Sequence, residues 1–120
     1  TDELRAGLAG VRALLAEPRK PAEIHARLRT SSDAAESVCA AIYSAAAHPT
    51  FHAAVCFAVS LGGDTDTVAA MTGAISGARL GANSIPRRWV DALEDGDRGR
   101  THVEQLATRL AEVSFGVACL

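Results

Sequence analysis

From Ala69 to Gly81, every fourth residue carries a methyl group or no side chain at all: Ala69, Gly73, Gly77 and Gly81. At 3.6 residues per turn, these positions line one face of a helix. Glycine inside a helix costs about 1 kcal/mol relative to alanine, so two internal glycines require compensation from a closely packed neighbour. The rest of the chain follows the same rule. Of its 120 residues, 25 are alanine and only five are aromatic (Tyr43, Phe51, Phe57, Trp89, Phe115). A core here must come from Ala- and Gly-lined helices in close contact. β-branched and aromatic residues never gather in alternating runs, which excludes a β-sandwich. The prediction is an all-α, compact multi-helix bundle, with residues 1–120 forming part of one domain.

Periodicity and capping signals give the helices. Residues 2–16 place Leu4, Leu8, Val11 and Leu15 on one stripe, with Asp2 as N-cap. Pro21 opens a short helix to about Arg29, and Thr30-Ser31-Ser32 forms a polar hinge. Asp33-x-x-Glu36 resembles a capping box before a helix that reaches about His48, where Pro49 interrupts. Thr50 restarts the pattern. The stretch Phe51 to Leu61 is apolar all round except His52 and Ser60, which predicts the most buried helix. Gly62-Gly63 ends it, and Thr65 or Asp66 opens the next helix, from about 67 to 80, with Val68, Met71 and Ile75 as its hydrophobic stripe. Pro86 begins a short helix through Trp89 to Asp95. Thr101-x-x-Glu104 reads as the capping box of a last helix with Val103, Leu106, Leu110 and Val113 inward.

Charge and cysteine usage narrow the function classes. Twelve basic and fourteen acidic residues give a net charge of −2, which argues against a nucleic-acid patch or a polybasic membrane patch. The longest apolar run, Ala53 to Val59, is too short to span a bilayer, and no signal-peptide pattern opens the chain. Cys39, Cys56 and Cys119 are odd in number and lie among apolar residues, as expected of buried thiols in a reducing cytoplasm (or a nucleus, in a eukaryote). The chain begins at Thr1 and enters a helical pattern at once, which predicts a piece of a longer polypeptide.

One stretch carries chemistry. Gly62-Gly63-Asp64-Thr65-Asp66-Thr67 lies between the predicted most buried helix and the glycine-striped one. Two carboxylates two residues apart in such a turn repel each other unless one takes a proton or a cation lies between them. Oxygen ligands from Asp64, Asp66 and the Thr67 hydroxyl suit Mg²⁺ or Mn²⁺. The glycines allow a tight turn and close approach, and the helix N-terminus favours anionic groups such as phosphate. An isolated Asp-x-Asp is more often an N-cap beside a solvated turn residue; the flanking glycines and apolar helices tip the balance here. Aspartyl-phosphate chemistry of the haloacid-dehalogenase type needs the first Asp at the end of a parallel strand. No strand–helix alternation is present to provide one.

The stretch Ser60 to Ala78 (SLGGDTDTVAAMTGAISGA) resembles the C-terminal metal motif of the ADP-ribosylglycohydrolase (ADP-ribosylhydrolase) family. That motif pairs a G-G-D-T-D-T turn with a small-residue helix. The similarity continues through Gly81, Ile85-Pro86 and Trp89, and upstream through Glu36-Ser37-Val38 and Ala41-Ile42-Tyr43, so it covers roughly residues 30–95. The resemblance implies the C-terminal part of an all-α domain that binds ADP-ribose. It implies hydrolysis of the bond from the ribose anomeric carbon to a modified protein side chain or to another ADP-ribose. It implies two Mg²⁺ ions, with Mn²⁺ possible, for which Asp64, Asp66 and Thr67 are ligands; Asp66 bridges the ions and Thr65 is a turn residue. Family members are more than twice as long as this chain. The catalytic acidic residue and the remaining metal ligands, a Thr-Asp-Asp cluster, are expected in an N-terminal part that this sequence does not match. An N-terminal fragment of the same protein is therefore an expected partner. Cys39 stands where the family has proline, and Thr30-Ser31-Ser32 where it has a Gly/Asn-rich turn. The alternatives are a catalytically silent relative that binds ADP-ribose or serves structure, and a helical interaction module whose Gly73–Gly77–Gly81 groove takes a partner helix.

Other residues read as structural. His48 and His52 have a zinc-like spacing, but Pro49 breaks their shared face, which predicts capping and packing. His25 and His102 are expected in solvent, and Cys56 in the core. Trp89 is expected to anchor a short helix. Arg87, Arg88, Arg98 and Arg100, interleaved with Asp91, Glu94, Asp95 and Asp97, predict a solvated mixed-charge face.

Overall fold

Asp33 and Thr50 each close the front of a helix, as their positions in the sequence predict. The Asp33 carboxylate accepts from the backbone N–H groups of Ala35 (2.9 Å) and Glu36 (3.2 Å), and the Thr50 hydroxyl accepts from Ala53 N–H (3.1 Å). The computed structural model describes residues 2–30 and 33–116, so Ser31, Ser32 and Cys119 of the sequence reading fall outside the described residues. The helices are α1 (Asp2–Ala16), α2 (Pro21–Arg27), α3 (Ala34–Ala47), α4 (Phe51–Ser60), α5 (Thr65–Leu80), α6 (Arg87–Asp91) and α7 (Arg100–Phe115), with a 3₁₀ turn at Ala82–Ser84. No strand occurs among the described residues, and the chain is all-α. None of the described helices is long and apolar enough to cross a membrane. The residues fall into two compact units that divide after Ile85.

In the first unit α3, not α4, is the central helix. It buries Ser37, Cys39, Ala40, Ala41, Tyr43, Ser44 and Ala45, and packs against α1, α4 and α5. Towards α1 the core is Val11, Leu14, Leu28, Cys39 and Tyr43; towards α5 it is Ala40, Ala41, Ala58 and Val68. The prediction that α4 is the most buried element is corrected. Only Phe51, Ala54 and Ala58 are buried there, while His52, Cys56 and Val59 are exposed. A helix that is apolar on every side still buries only the sides that have neighbours.

The inward stripes also turn. On α1 the stripe is Leu4, Gly7, Val11 and Leu14, with Leu8 and Leu15 exposed. Gly7 sets that rotation, because a Cβ there would lie 2.6 Å from Cys39 Sγ. On α5 the stripe that faces α3 is Val68, Thr72 and Ser76, all fully buried, and Ile75 points outward. Thr72 donates its hydroxyl proton to the Val68 carbonyl at 2.7 Å, and Ser44 donates to the Ala40 carbonyl at 2.7 Å, so both hydroxyls are satisfied within their own helices. A contact invisible to periodicity ties the two helices. The Arg79 guanidinium donates to the carbonyls of Ala45 and His48, both at 2.8 Å, placing a cation at the C-terminal end of α3.

The small-residue face of α5 receives a side chain of the same unit, Phe51. A Cβ added at Gly73 would lie 3.6 Å from its ring and one at Gly77 3.8 Å, both ordinary contact distances. Gly77→Ala therefore removes the helix penalty of glycine without a clash. Thermal unfolding is expected to show a gain of about 0.5–1 kcal/mol.

The second unit is organised by Asp95. Its carboxylate accepts from Thr101 N–H (2.7 Å), the Thr101 hydroxyl (2.8 Å) and the Arg100 guanidinium (3.1 Å). Arg100 also donates to the Val90 carbonyl at 3.2 Å. The expected Thr101–Glu104 box is corrected: α7 begins at Arg100 with Gly99 as N-cap and no side-chain cap at that position, and Asp95 does the capping from the loop. The helix expected from Pro86 to Asp95 stops at Asp91. The stripe predicted to face inward on α7 is exposed, Val103 and Leu106 at 58%, Leu110 at 65% and Val113 at 86%. Among the described residues of this unit the one other helix is the five-residue α6, which at ~7.5 Å is far too short to cover a helix of ~24 Å.

The hydrogen bonds from Thr101, backbone first and hydroxyl second, hold the Asp95 carboxyl below its ordinary value of 3.8, with Arg100 adding to the shift. A depressed folded-state value means the stabilisation is complete above 3.8 and fades as pH falls through the lowered value. Asp95→Ala should therefore lower the thermal midpoint of α7 unfolding at pH 6, with the difference from wild type disappearing in strong acid. A difference constant across that range would show that Asp95 does not cap α7.

Candidate metal centre

The turn between α4 and α5 is shaped by two glycines that hold positive φ, Gly62 at 75° and Gly63 at 67°. No other residue type adopts this pair of conformations cheaply. The turn is closed from outside by Thr30, in the linker after α2. The Thr30 hydroxyl donates to the Gly62 carbonyl at 2.7 Å, and the Thr30 carbonyl accepts from Asp64 N–H at 3.1 Å. A Cβ on Gly63 would land on the Thr30 carbonyl oxygen, so glycine is required there by space as well as by φ.

Asp64 occupies the N-cap position of α5 but makes no side-chain capping bond. Its carbonyl accepts from Val68 N–H at 3.1 Å, and the Asp64 carboxyl lies two residues before that of Asp66. The Asp64 side chain beside it, and then the backbone N–H groups of Thr67 and of Asp66 itself, hold the Asp66 carboxyl below its ordinary value. Asp64 is half-buried, and Asp66 and Thr67 are exposed. The turn thus brings Asp64 and Asp66 together at the start of a four-turn helix, with Thr67 one residue on.

The donor set fits a hard dication in part. Two carboxylates and a hydroxyl are ligands that Mg²⁺ and Mn²⁺ accept, but they fill less than an octahedral shell. Among the described residues no group of three His, Cys, Asp or Glu side chains converges on one point, so further protein ligands would have to come from elsewhere. A cavity of about 610 Å³ opens between α1 and the first half of α3, with Gly7, Gly10 and Cys39 in its lining, and no residue of the Gly62–Thr67 turn borders it.

The other candidates take structural partners. His48 Nδ1 lies 2.8 Å from the Ser44 carbonyl and its ring 4.6 Å from that of Phe57, while His52 lies beside Cys56 Sγ (3.7 Å from Nε2), so the two histidines serve different contacts. Cys56 is exposed, contrary to expectation, because it lies off the Phe51–Ala54–Ala58 face of α4. Burial raises the Cys39 thiol above its ordinary value, which keeps it protonated. His25 is not free in solvent: Nδ1 is 2.8 Å from the Pro21 carbonyl, Nε2 is 3.3 Å from Ser60 Oγ, and the ring packs on Phe57 at 5.5 Å. His102 is exposed as expected. Arg87 and Arg100 pair with Asp91 and Asp95 in the expected mixed-charge manner. Sequence reasoning placed Thr30 in a polar hinge and missed its contacts with Gly62 and Asp64. A clasp across 32 residues leaves no local pattern to read.

Comparison with known proteins is consistent with this geometry. The family profile described as ADP-ribosylglycohydrolase matches residues 1–117. The chain is 36% identical over 88 residues to an ADP-ribosylarginine hydrolase of Serratia proteamaculans, covering 73% of this chain and 24% of that protein. It is 37% identical over 94 residues to a protein of Archaeoglobus fulgidus, covering 78% and 29%. An ADP-ribosylhydrolase of Danio rerio matches over 59 residues at 42% identity, covering 49% and 15%. The chain thus matches between about a seventh and three-tenths of the length of these relatives. No solved structure matches it. The profile match over nearly the whole chain, together with the Gly-Gly-Asp-Thr-Asp-Thr turn at the head of a small-residue helix, establishes that the chain belongs to the ADP-ribosylglycohydrolase family.

Proposed function

We propose that this chain supplies half of a two-ion Mg²⁺ site, with Mn²⁺ as the substitute ion, in an enzyme that hydrolyses ADP-ribose linkages. Asp64, Asp66 and Thr67 are the residues that would hold the ions. The observation that carries the reading is the placement of Asp64 at the N-cap and Asp66 in the first turn of α5, straight after the two positive-φ glycines, in a chain of this family. The substrate would be an ADP-ribosylated protein side chain or an ADP-ribose polymer; the names of the Serratia and Danio relatives support that class. The remaining ligands and the catalytic acid would come from the part of the domain that the relatives carry outside the matched stretch.

Each residue has a derivable task. Asp64 makes no side-chain capping bond to its own helix, so a cation would not have to compete with a cap for its oxygens. Asp66 keeps its charge because hydrogen bonds stabilise the ionised form. Bound ions would orient the ribose hydroxyls and a water and stabilise charge as the glycosidic bond breaks.

The test is ADP-ribose release from an ADP-ribosylated protein by this chain joined to the N-terminal part of the domain. Release in Mg²⁺ that stops in EDTA and resumes when Mg²⁺ is restored is the expected result. Release indifferent to EDTA would rule the metal reading out.

A further inference from the structure

We propose that Thr30 is the positioning residue of the carboxylate turn, and that α2 with the linker behind it is a strap that sets how Asp64 and Asp66 meet a cation. This inference rests on the metal reading above. Gly62 and Gly63 have no side chains to restrain them, and glycine populates both signs of φ freely. Left alone, the segment leading into Asp64 would sample many orientations of the two carboxyls. Thr30 removes that freedom at two points. Its hydroxyl fixes the Gly62 carbonyl and its own carbonyl fixes Asp64 N–H, so the two bonds bracket Gly63 and hold the peptide planes on both sides of it.

The strap is held where it can do this. No residue of α2 is fully buried, though Ile24 packs against the core of its unit. Further attachments lie towards the turn: His25 reaches Ser60 Oγ at 3.3 Å and packs on Phe57, and Leu28, two residues before Thr30, is buried in the core. One anchor therefore falls just before Gly62 and the other just before Thr30. The backbone of Asp64 is held from outside, and its side chain makes no capping bond to α5. Pre-ordering of this kind raises affinity by reducing the entropy lost on binding.

The test uses the whole 120-residue chain and Mn²⁺ alone, which broadens the NMR signals of nearby amides even when binding is weak. Wild type is expected to show broadening centred on residues 63–67. Thr30→Val keeps the shape and loses the hydroxyl. It should need about fivefold more Mn²⁺ for the same broadening, the effect of one lost hydrogen bond, and should speed Asp64 amide exchange by a similar factor without metal. Thr30→Ser keeps the hydroxyl and should behave as wild type in both measurements. Wild-type Mn²⁺ response in Thr30→Val would overturn the strap and leave the metal reading standing. A fivefold loss in Thr30→Ser would overturn it too, even if the valine variant failed to fold. Broadening that survives both Asp64→Asn and Asp66→Asn would overturn the metal reading, and the strap with it.

Discussion

Phe51→Ala is expected to lower the stability of the first unit by about 3–5 kcal/mol, a large share of the ~5–15 kcal/mol that holds a small domain together. The ring belongs to the first residue of α4, is 8% exposed, and lies across Gly73 and Gly77 on α5. Most lost rings leave a cavity that neighbouring side chains partly refill. Here the facing wall carries no side chains that could move in, so the void can close only if the helices shift. Such a shift would disturb the contact of Ala40, Ala41 and Ala58 with Val68. Denaturant unfolding should show a much lower midpoint for Phe51→Ala and an intermediate one for Phe51→Leu. A loss under about 1 kcal/mol would mean that the helices close the gap without cost, contrary to the close packing of protein interiors. The same contact takes up part of the glycine face: Phe51 rests against Gly73 and Gly77, while Gly81 has no neighbour there.

This contact also shows how far the sequence could be read. The glycine spacing predicted close approach of a neighbouring helix, but a Cβ at Gly73 or Gly77 would meet only the Phe51 ring, at ordinary contact distance. The caps at Asp33 and Thr50 did locate two helix starts. The sequence did not say which neighbour, or which face of each helix turns inward. With 25 alanines, several faces of a helix are almost equally apolar, and periodicity loses its discrimination. On α5 the reading preferred Val68, Met71 and Ile75. The buried stripe is Val68, Thr72 and Ser76, and the Thr72 hydroxyl hides its polarity by bonding to the Val68 carbonyl. On α7 the pattern was real but no partner among the described residues of its unit is long enough to cover it. In the site, residue identity revealed the carboxylates because their spacing is local. Thr30 and Arg79 act across 32 to 34 residues of chain and emerge only from the fold.

The second large effect concerns Asp66. In a protein that carries this chain with the rest of its domain, Asp66→Asn is expected to reduce Mg²⁺-dependent ADP-ribose release by more than about a hundredfold. Changes to groups that merely support a metal ligand cost 10–100-fold, and this one removes the charge of a ligand itself. The substitution isolates that charge. Asparagine retains a side-chain oxygen that can accept from Thr67 N–H, one of the bonds Asp66 makes, so the first turn of α5 should persist. Asp66 is also exposed and contributes nothing to the core, so the thermal midpoint should move little. Loss of activity at an unchanged midpoint, with weakened Mn²⁺ broadening in the same variant, would place the effect in the metal site. Loss of activity accompanied by a large fall in midpoint would instead assign Asp66 to holding the turn, and full activity in Asp66→Asn would remove it from the ligand set. Gly63→Ala gives the opposite contrast. Its methyl group would strike the Thr30 carbonyl in a residue held at positive φ, so it should weaken Mn²⁺ binding while every ligand remains in place.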